Sequence, residues 1–167
     1  VIMKEVESME KVLVRGVVTA KDEARVTIHN IPNKPGVAAY IFGKLGKEKI
    51  NVDMIIQSSA HQNKSDISFT VNEDTLPKTL EVMEKARKHL NAERVASDSN
   101  IGKVAVVGVG MRTHSGVAGK MFEALARESI NIEMISTSEI RISCVIRRDL
   151  CDKAMKALHK EFELEKE

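Results

Sequence analysis

Two acidic residues, Asp53 and Glu133, are candidates for chemistry because they occupy matched places in two copies of one stretch. Residues 50–55 (INVDMI) recur 80 positions later as residues 130–135 (INIEMI). Each carboxylate follows a turn and a helix whose free N–H groups and positive end favour a carboxylate ligand. An anion site beside a carboxylate is what a zwitterionic amino acid requires. The alternative is that both carboxylates are solvated strand ends.

The repeat extends beyond these stretches and predicts the same elements twice. Between residues 36–58 and 116–138, 11 of 23 aligned positions are identical. Each copy predicts a turn, an amphipathic helix beginning near Pro35 or Ser115, and a mostly buried strand over 51–58 or 131–138. The apolar helix positions are Val37, Ile41, Phe42 and Leu45 in the first copy and Val117, Met121, Phe122 and Leu125 in the second.

The order of predicted elements indicates two ferredoxin-like domains, of which the first is inserted into the second. The first half follows the β-α-β-β-α-β pattern, whereas the second half lacks a fourth strand. A strand over 12–19 has no place in the first half and would close the second sheet, whose open edge would otherwise be an aggregation hazard. We therefore predict an α+β fold with a linker at 1–10, a first domain at 24–98, and a second domain formed by 11–23 and 99–167.

Composition narrows the function classes. Of the 167 residues 43% are hydrophobic and 30% charged, and a net charge of +2 gives no electrostatic reason to expect nucleic acid or membrane partners. Aromatic residues make up 3%, so stacking platforms for bases are not expected. No run is long and apolar enough for a membrane span, and no signal peptide is evident, which indicates the cytoplasm.

Several motifs suggest other chemistry but are incomplete. Residues 107–113 (VGVGMRT) resemble a dinucleotide-binding turn but have Thr113 in place of the third glycine. His114 and Ser115 could form a base and nucleophile, although adjacent residues seldom face each other and a capping role for Ser115 is favoured. The five histidines show no metal-ligand spacing, and Cys144 and Cys151 are predicted to be buried thiols. We predict no catalytic residue, metal site or cofactor in this chain.

Residues 33–58 (beginning NKPGVA and ending INVDMIIQS) and 108–143 (beginning GVGMRTHSGVA and ending ISTSEIRIS) resemble the tandem ACT domains of aspartate kinase. The similarity covers residues 10–162, and the string STSEIRIS at 136–143 is its most specific part. Residues 10–17 resemble the passage from a kinase domain into the regulatory region. The resemblance implies a parent enzyme that phosphorylates aspartate with ATP, on the route to lysine, threonine and methionine. ATP and Mg would bind the kinase domain, which this chain lacks.

The resemblance also implies partners and an effector site. In the family, the first ACT domain of one chain pairs with the second of another, and lysine and/or threonine bind at that interface and inhibit the kinase. This implies a homodimer that associates with a kinase domain or alpha subunit. By motif, the first group of effector residues is Asn33, Gly36, Val37, Ala38, Asn51, Val52, Asp53 and Gln57. The group across the interface is Met111, His114, Gly116, Val117, Ala118, Asn131, Ile132, Ser138 and Glu139.

One departure from the family pattern bears on the choice of effector. Asn33 stands where many relatives carry Asp before Lys-Pro-Gly, and a neutral amide attracts a lysine ammonium less than a carboxylate does. Threonine is therefore the safer expectation. Two alternatives remain at this point: a free-standing ACT protein that senses an amino acid, and a purely structural dimerisation module that binds nothing.

Overall fold

The chain forms two compact units, and each is described by itself. A computed structural model describes residues 14–108 and 115–164, excluding the side chain of Ser115. The inserted unit comprises Asp22–Asn100, and the split unit comprises Val1–Lys21 together with Ile101–Glu167. The predicted linker at 1–10 lies outside the described residues.

Eight strands and four α-helices follow one another within the described ranges, and two short 3-10 turns, Glu73–Thr75 and Arg148–Leu150, precede the second and fourth helices. In chain order the elements are β1 (Val14–Ala20), β2 (Glu23–Pro32), α1 (Val37–Lys47), β3 (Val52–Gln57), β4 (Lys64–Asn72), α2 (Leu76–Leu90), β5 (Arg94–Asp98), β6 (Ile101–Gly108), α3 (Ser115–Arg127), β7 (Met134–Thr137), β8 (Arg141–Arg147) and α4 (Cys151–Glu161).

The predicted insertion of one ferredoxin-like domain into another is confirmed. The strand order is β3-β4-β2-β5 in the inserted unit and β1-β6-β8-β7 in the split unit. Strand β1 pairs antiparallel with β6, with Val17 opposite Val106, and thus supplies the strand that the second half lacks. The register shifts between Val14 and Gly16, where the Arg15-Gly16 pair predicts a bulge.

Each unit has its own hydrophobic core between one sheet face and two helices. In the inserted unit, Ile28 and Phe69 from the sheet pack with Ile41, Leu45 and Met83 from the helices. The split unit repeats this arrangement with Val104, Ile142 and Ile146 from the sheet and Met121, Leu125 and Leu158 from the helices. Burying one such side chain stabilises the fold by about 1.5–3 kcal/mol, so each unit holds its helices firmly against its sheet.

The structure corrects the predicted burial at two places. The alternation of β2 predicts Asn30 on the core face, but the register with β4 shifts between Ile28 and Ile31, so Ile31 is buried instead. Asn30 adopts a left-handed backbone with φ 55° and is exposed. Strands β3 and β7 are edge strands rather than mostly buried ones, because each pairs with only one neighbour in its sheet and the helices cover only one of its faces. Ile55 and Ile135 are accordingly 51% and 44% exposed.

Candidate functional site

The start of α1 presents backbone donors without a side-chain cap. Gly36 is the cap residue, with φ 94°, a conformation that favours glycine, and no side chain caps the helix. The first intrahelical bond runs from Tyr40 N to Gly36 O at 2.9 Å. Buried Val37 anchors the start, whereas Ala38 is exposed. Pro35, expected in the first turn, precedes the cap. This helix end can attract a carboxylate through its N–H groups and its dipole.

Hydrogen bonds hold the loop before α1 and the end of β3 at one end of the inserted unit's sheet. Asn33 N donates to Asn63 O at 2.8 Å, which joins the loop to the β3–β4 hairpin. The Gln57 side chain donates through Nε2 to Ser65 Oγ at 3.2 Å. The structure therefore brings Asn33, Gly36 and Gln57 to the same end of the unit.

A polar cavity of about 400 Å³ opens at this end, around Asp66. The Asp66 carboxyl accepts from Asn30 N at 2.8 Å and lies 3.1 Å from His29 Nδ1, and Asp66 N donates to Ser58 Oγ at 2.9 Å. The Asn30 side chain also contacts the Glu93 carboxyl. The lining residues are Asn30, Ser58, Ser59, His61, Gln62, Lys64, Ser65, Asp66, Asn91 and Glu93.

Sequence reasoning did not associate Asn30, Asp66 and Glu93 with a site. These residues are far apart along the chain and lie outside the repeated stretch at residues 36–58. Only the bulge in β2 and the turn after α2 bring them together. The one signal available in the sequence is that Asn30 is polar at a position where the strand alternation predicts burial.

The carboxylate of Asp53 lies toward the opposite end of the sheet. Along β4, Gln57 pairs at Ile67 whereas Val52 pairs at Val71. Four residues of strand correspond to about 13 Å, and α1 spans about 16 Å from its start to the turn before β3. Within one unit the structure thus separates Asn51, Val52 and Asp53 from the start of α1. The predicted pairing of an anion site with an adjacent carboxylate does not form within a single unit.

The split unit repeats this division. Gly116, Val117 and Ala118 lie in the first turn of α3. Beyond the end of β7, Ser138 N donates to Arg141 O at 2.8 Å, and Glu139 is exposed. Asn131 and Ile132 precede β7 at the other end. Met111 and His114 lie outside the described residues.

Glu133, the counterpart of Asp53 in the repeat, has a cationic partner within its own sheet. Its Oε2 lies 3.0 Å from Arg147 Nε, and the Glu133 side chain is only 19% exposed. Glu133 N also donates to Val145 O at 2.8 Å on the neighbouring strand. Glu133 therefore contributes to the structure of the sheet edge.

Both thiols are buried, and the described acidic and histidine residues form no cluster of three or more metal-ligating groups. Cys144 and Cys151 are free and buried, as predicted. Burial raises the pKa of the Cys144 thiol to about 12 and also raises the pKa of the Cys151 thiol, so thiolates are scarce at neutral pH. No metal-ligating group occurs among the described residues. No helix in these ranges is long and apolar enough to span a bilayer.

Comparison with known proteins identifies the family. The ACT domain family model matches residues 26–86 and 104–162. The aspartokinase of Pseudomonas aeruginosa is 47% identical over 161 residues, which are 96% of this chain and 39% of that protein. The chain therefore spans about two fifths of the length of this curated relative.

Two solved structures match nearly their whole length. The ligand-free regulatory subunit of aspartate kinase from Thermus thermophilus superposes with a TM-score of 0.85 at 38% identity, covering 90% of this chain and 99% of that one. A chain from a crystal structure of aspartokinase alpha and beta subunits gives a TM-score of 0.83 at 42% identity, with the same coverage of 90% and 99%. The chain belongs to the ACT-domain family and, within it, to the tandem ACT regulatory subunits and regions of the aspartokinases.

Proposed function

We propose that this chain is the regulatory region through which threonine and/or lysine inhibits an aspartate kinase by feedback. The observation that carries the proposal is the uncapped start of α1, which lies at the same end of the sheet as Gln57 and a polar cavity. Those groups suit a small zwitterion. The ATP- and Mg-dependent phosphorylation of aspartate belongs to a kinase domain or alpha subunit, and this chain contributes no catalytic residue.

The proposed effector sites are composite and require a second copy of the chain. Edge strands β3 and β7 can pair antiparallel across two copies, since the outward-facing Ile55 and Ile135 are largely exposed. Antiparallel pairing would set the Gln57 end of β3 beside Asn131 and Ile132 of the other copy. The same pairing would set Asn51, Val52 and Asp53 beside Ser138 and Glu139.

This arrangement accounts for the separation of the repeated carboxylate from the helix start within each unit. At the first site, the N–H groups of Val37 and Ala38 would bind the effector carboxylate. At the second, Gly116–Ala118 would bind the carboxylate of a second effector, and Asp53 of the other copy would receive its ammonium. Asn33 carries no charge to bind a lysine side chain, which favours threonine at the first site.

Inhibition further requires that the effector bind the inhibited arrangement better than the active one. Such coupling is typically ~1–3 kcal/mol, or about 5–150-fold in affinity. An effector held between two copies meets this requirement if the kinase senses how the copies are paired.

The test combines calorimetry on the chain with inhibition of the kinase assembled with it. We expect threonine to bind at both sites and to inhibit, and Asp53→Asn to weaken inhibition and binding at the second site by about tenfold, because a charge-assisted hydrogen bond is worth roughly 1.5–3 kcal/mol. Glu81→Gln is the matched control, since Glu81 is an exposed carboxylate on α2. It should leave binding and inhibition unchanged.

Three outcomes would count against parts of the proposal. If neither threonine nor lysine binds at millimolar concentration, the chain is a structural dimerisation module. If an amino acid binds but no kinase associates with the chain, it is a free-standing sensor. If Asp53→Asn leaves the inhibition constant unchanged, Asp53 lies outside the site.

A further inference from the structure

A second concave surface lies in the inserted unit, between the outer sides of α1 and α2. This groove has a volume of about 320 Å³ and shares no lining residue with the polar cavity. Its lining residues are Tyr40, Lys44, Lys47, Glu48, Val82, Lys85 and Ala86. Drug-sized ligands occupy pockets of about 300–1,000 Å³, so the groove suits a small ligand.

Aromatic contacts define one wall of the groove. The rings of Tyr40 on α1 and His89 on α2 are stacked, with centroids 4.3 Å apart and an interplanar angle of 11°. The Lys44 ammonium lies 5.4 Å from the Tyr40 centroid, within the range of a cation–π contact. Ala86 is buried and Val82 half-buried, and both contribute apolar surface. The stack connects the two helices and positions the Lys44 side chain at the groove.

The groove carries positive charge that neighbouring carboxylates do not neutralise. Glu48, its one lining carboxylate, has its Oε2 3.1 Å from the ammonium of Lys78, which lies outside the lining. In the described part of the chain, no carboxylate lies within ion-pair distance of Lys44, Lys47 or Lys85. Lys44 and Lys47 are three positions apart on one helix, where like charges repel. A bound anion would relieve that repulsion.

We propose that the α1–α2 groove binds a compact multivalent phosphate anion, with Lys44, Lys47 and Lys85 as its cationic ligands. Three ammonium groups match an anion of several charges better than a monoanion. The small concave volume favours a small molecule over an acidic protein segment, because a stable protein interface covers about 800 Å² on each partner. The anion can be free pyrophosphate or the phosphate chain of a nucleotide. This inference is independent of the proposed effector sites.

Calorimetry with pyrophosphate and with ADP, which carries the same number of phosphates, tests the groove and distinguishes the two sources. We expect one equivalent to bind per chain, with affinity falling as salt is raised. Lys44→Gln with Lys85→Gln should weaken binding about tenfold, since two of the three cationic contacts are lost and both also orient the anion. If ADP binds more tightly than pyrophosphate, the nucleoside also makes contact and the ligand is a nucleotide. Equal affinities assign the site to the phosphate chain alone.

Lys88→Gln is the matched control, because Lys88 is exposed on α2 and does not line the groove. It should leave the affinity within about twofold, as expected for a charge outside the site. Circular dichroism of each variant excludes unfolding as the cause of lost binding. Absence of pyrophosphate binding at millimolar concentration, or equal weakening by Lys88→Gln, would overturn the proposal. Binding of an oligoglutamate peptide through the same lysines without binding of phosphate would also overturn it, and would assign the groove to an acidic protein partner.

Discussion

Gly36 is the residue on which the geometry of the α1 start depends. Its φ of 94° is a backbone conformation that side-chain-bearing residues rarely adopt, and an added Cβ would meet nothing within 4 Å. The cost of Gly36→Ala should therefore come from backbone strain alone, at about 1–2 kcal/mol. Urea unfolding should show this loss, with the m-value unchanged.

Gly43 provides the matched control for this prediction. It lies within α1, and a Cβ there would also meet nothing within 4 Å. Because a helix-interior glycine costs roughly 0.5–1 kcal/mol relative to alanine, Gly43→Ala should stabilise the protein by that amount. Effects of the same sign in both variants would contradict the assignment of strain to Gly36.

The sequence predicts the residues at the start of α1 but not how far they lie from the repeated carboxylates. Gly36 and Val37 were found because they recur in the second half of the chain. The repeat predicts the helix between the turn and Asp53, yet it does not reveal that Asp53 lies toward the opposite end of the sheet from the start of that helix. Nor does it reveal that Glu133 forms an ion pair with Arg147, because that arginine has no counterpart in the repeat.

Strand β1 is the element that joins the split unit across the insertion. Val14 and Val17 are buried in that unit's core, and β1 has the outer position in its sheet, next to β6. Removing residues 14–20 should expose the edge of β6 and lower amide protection throughout 101–164. Residues 23–98 should remain protected, because their sheet is complete without β1.

A reciprocal substitution serves as the control. Ile28 is fully buried in the inserted unit's core, and Ile28→Ala should cost about 2–5 kcal/mol. Hydrogen exchange should then report lower protection in 23–98 only. If the deletion of β1 instead destabilised 23–98 and left 101–164 intact, the pairing of β1 with β6 would not be the source of the split unit's stability.

At the scale of elements, topology was predictable whereas exposure was not. The first half has no place for the strand over 12–19, and the second half lacks a fourth strand. These two facts predict the insertion of the first domain into the second, whichever side chains the strand carries. By contrast, the apolar run around Ile55 is compatible with both a buried strand and an edge strand. The position of β3 in the sheet decides between these, and that position depends on long-range pairing with β4. The bulge at Asn30 could not be predicted for the same reason, because it arises where the pairing register of β2 with β4 shifts.

At the scale of the whole molecule, two similar units in one chain give each copy a matched pair of edge strands, in addition to the edges at β1 and β5. Strand β3 forms one edge in the inserted unit, and β7 forms the matching edge in the split unit. A two-fold dimer that pairs β3 with β7 would use both of these strands in both copies at once. Each composite effector site of the proposal would then occur twice.

In the two-fold edge-strand dimer, one charged substitution would weaken two symmetry-related β3–β7 contacts. Ile55 and Ile135 are 51% and 44% exposed, and burying such a side chain stabilises an interface by about 1.5–3 kcal/mol. Lysine on an edge strand opposes pairing, so Ile55→Lys and Ile135→Lys should each convert a micromolar dimer into monomer in sedimentation equilibrium. Val18→Lys is the control, because Val18 is 42% exposed on the edge strand β1, outside the proposed interface, and it should stay dimeric. A wild-type chain that remains monomeric with saturating threonine would refute the composite site, and dissociation by Val18→Lys alone would move the interface to β1.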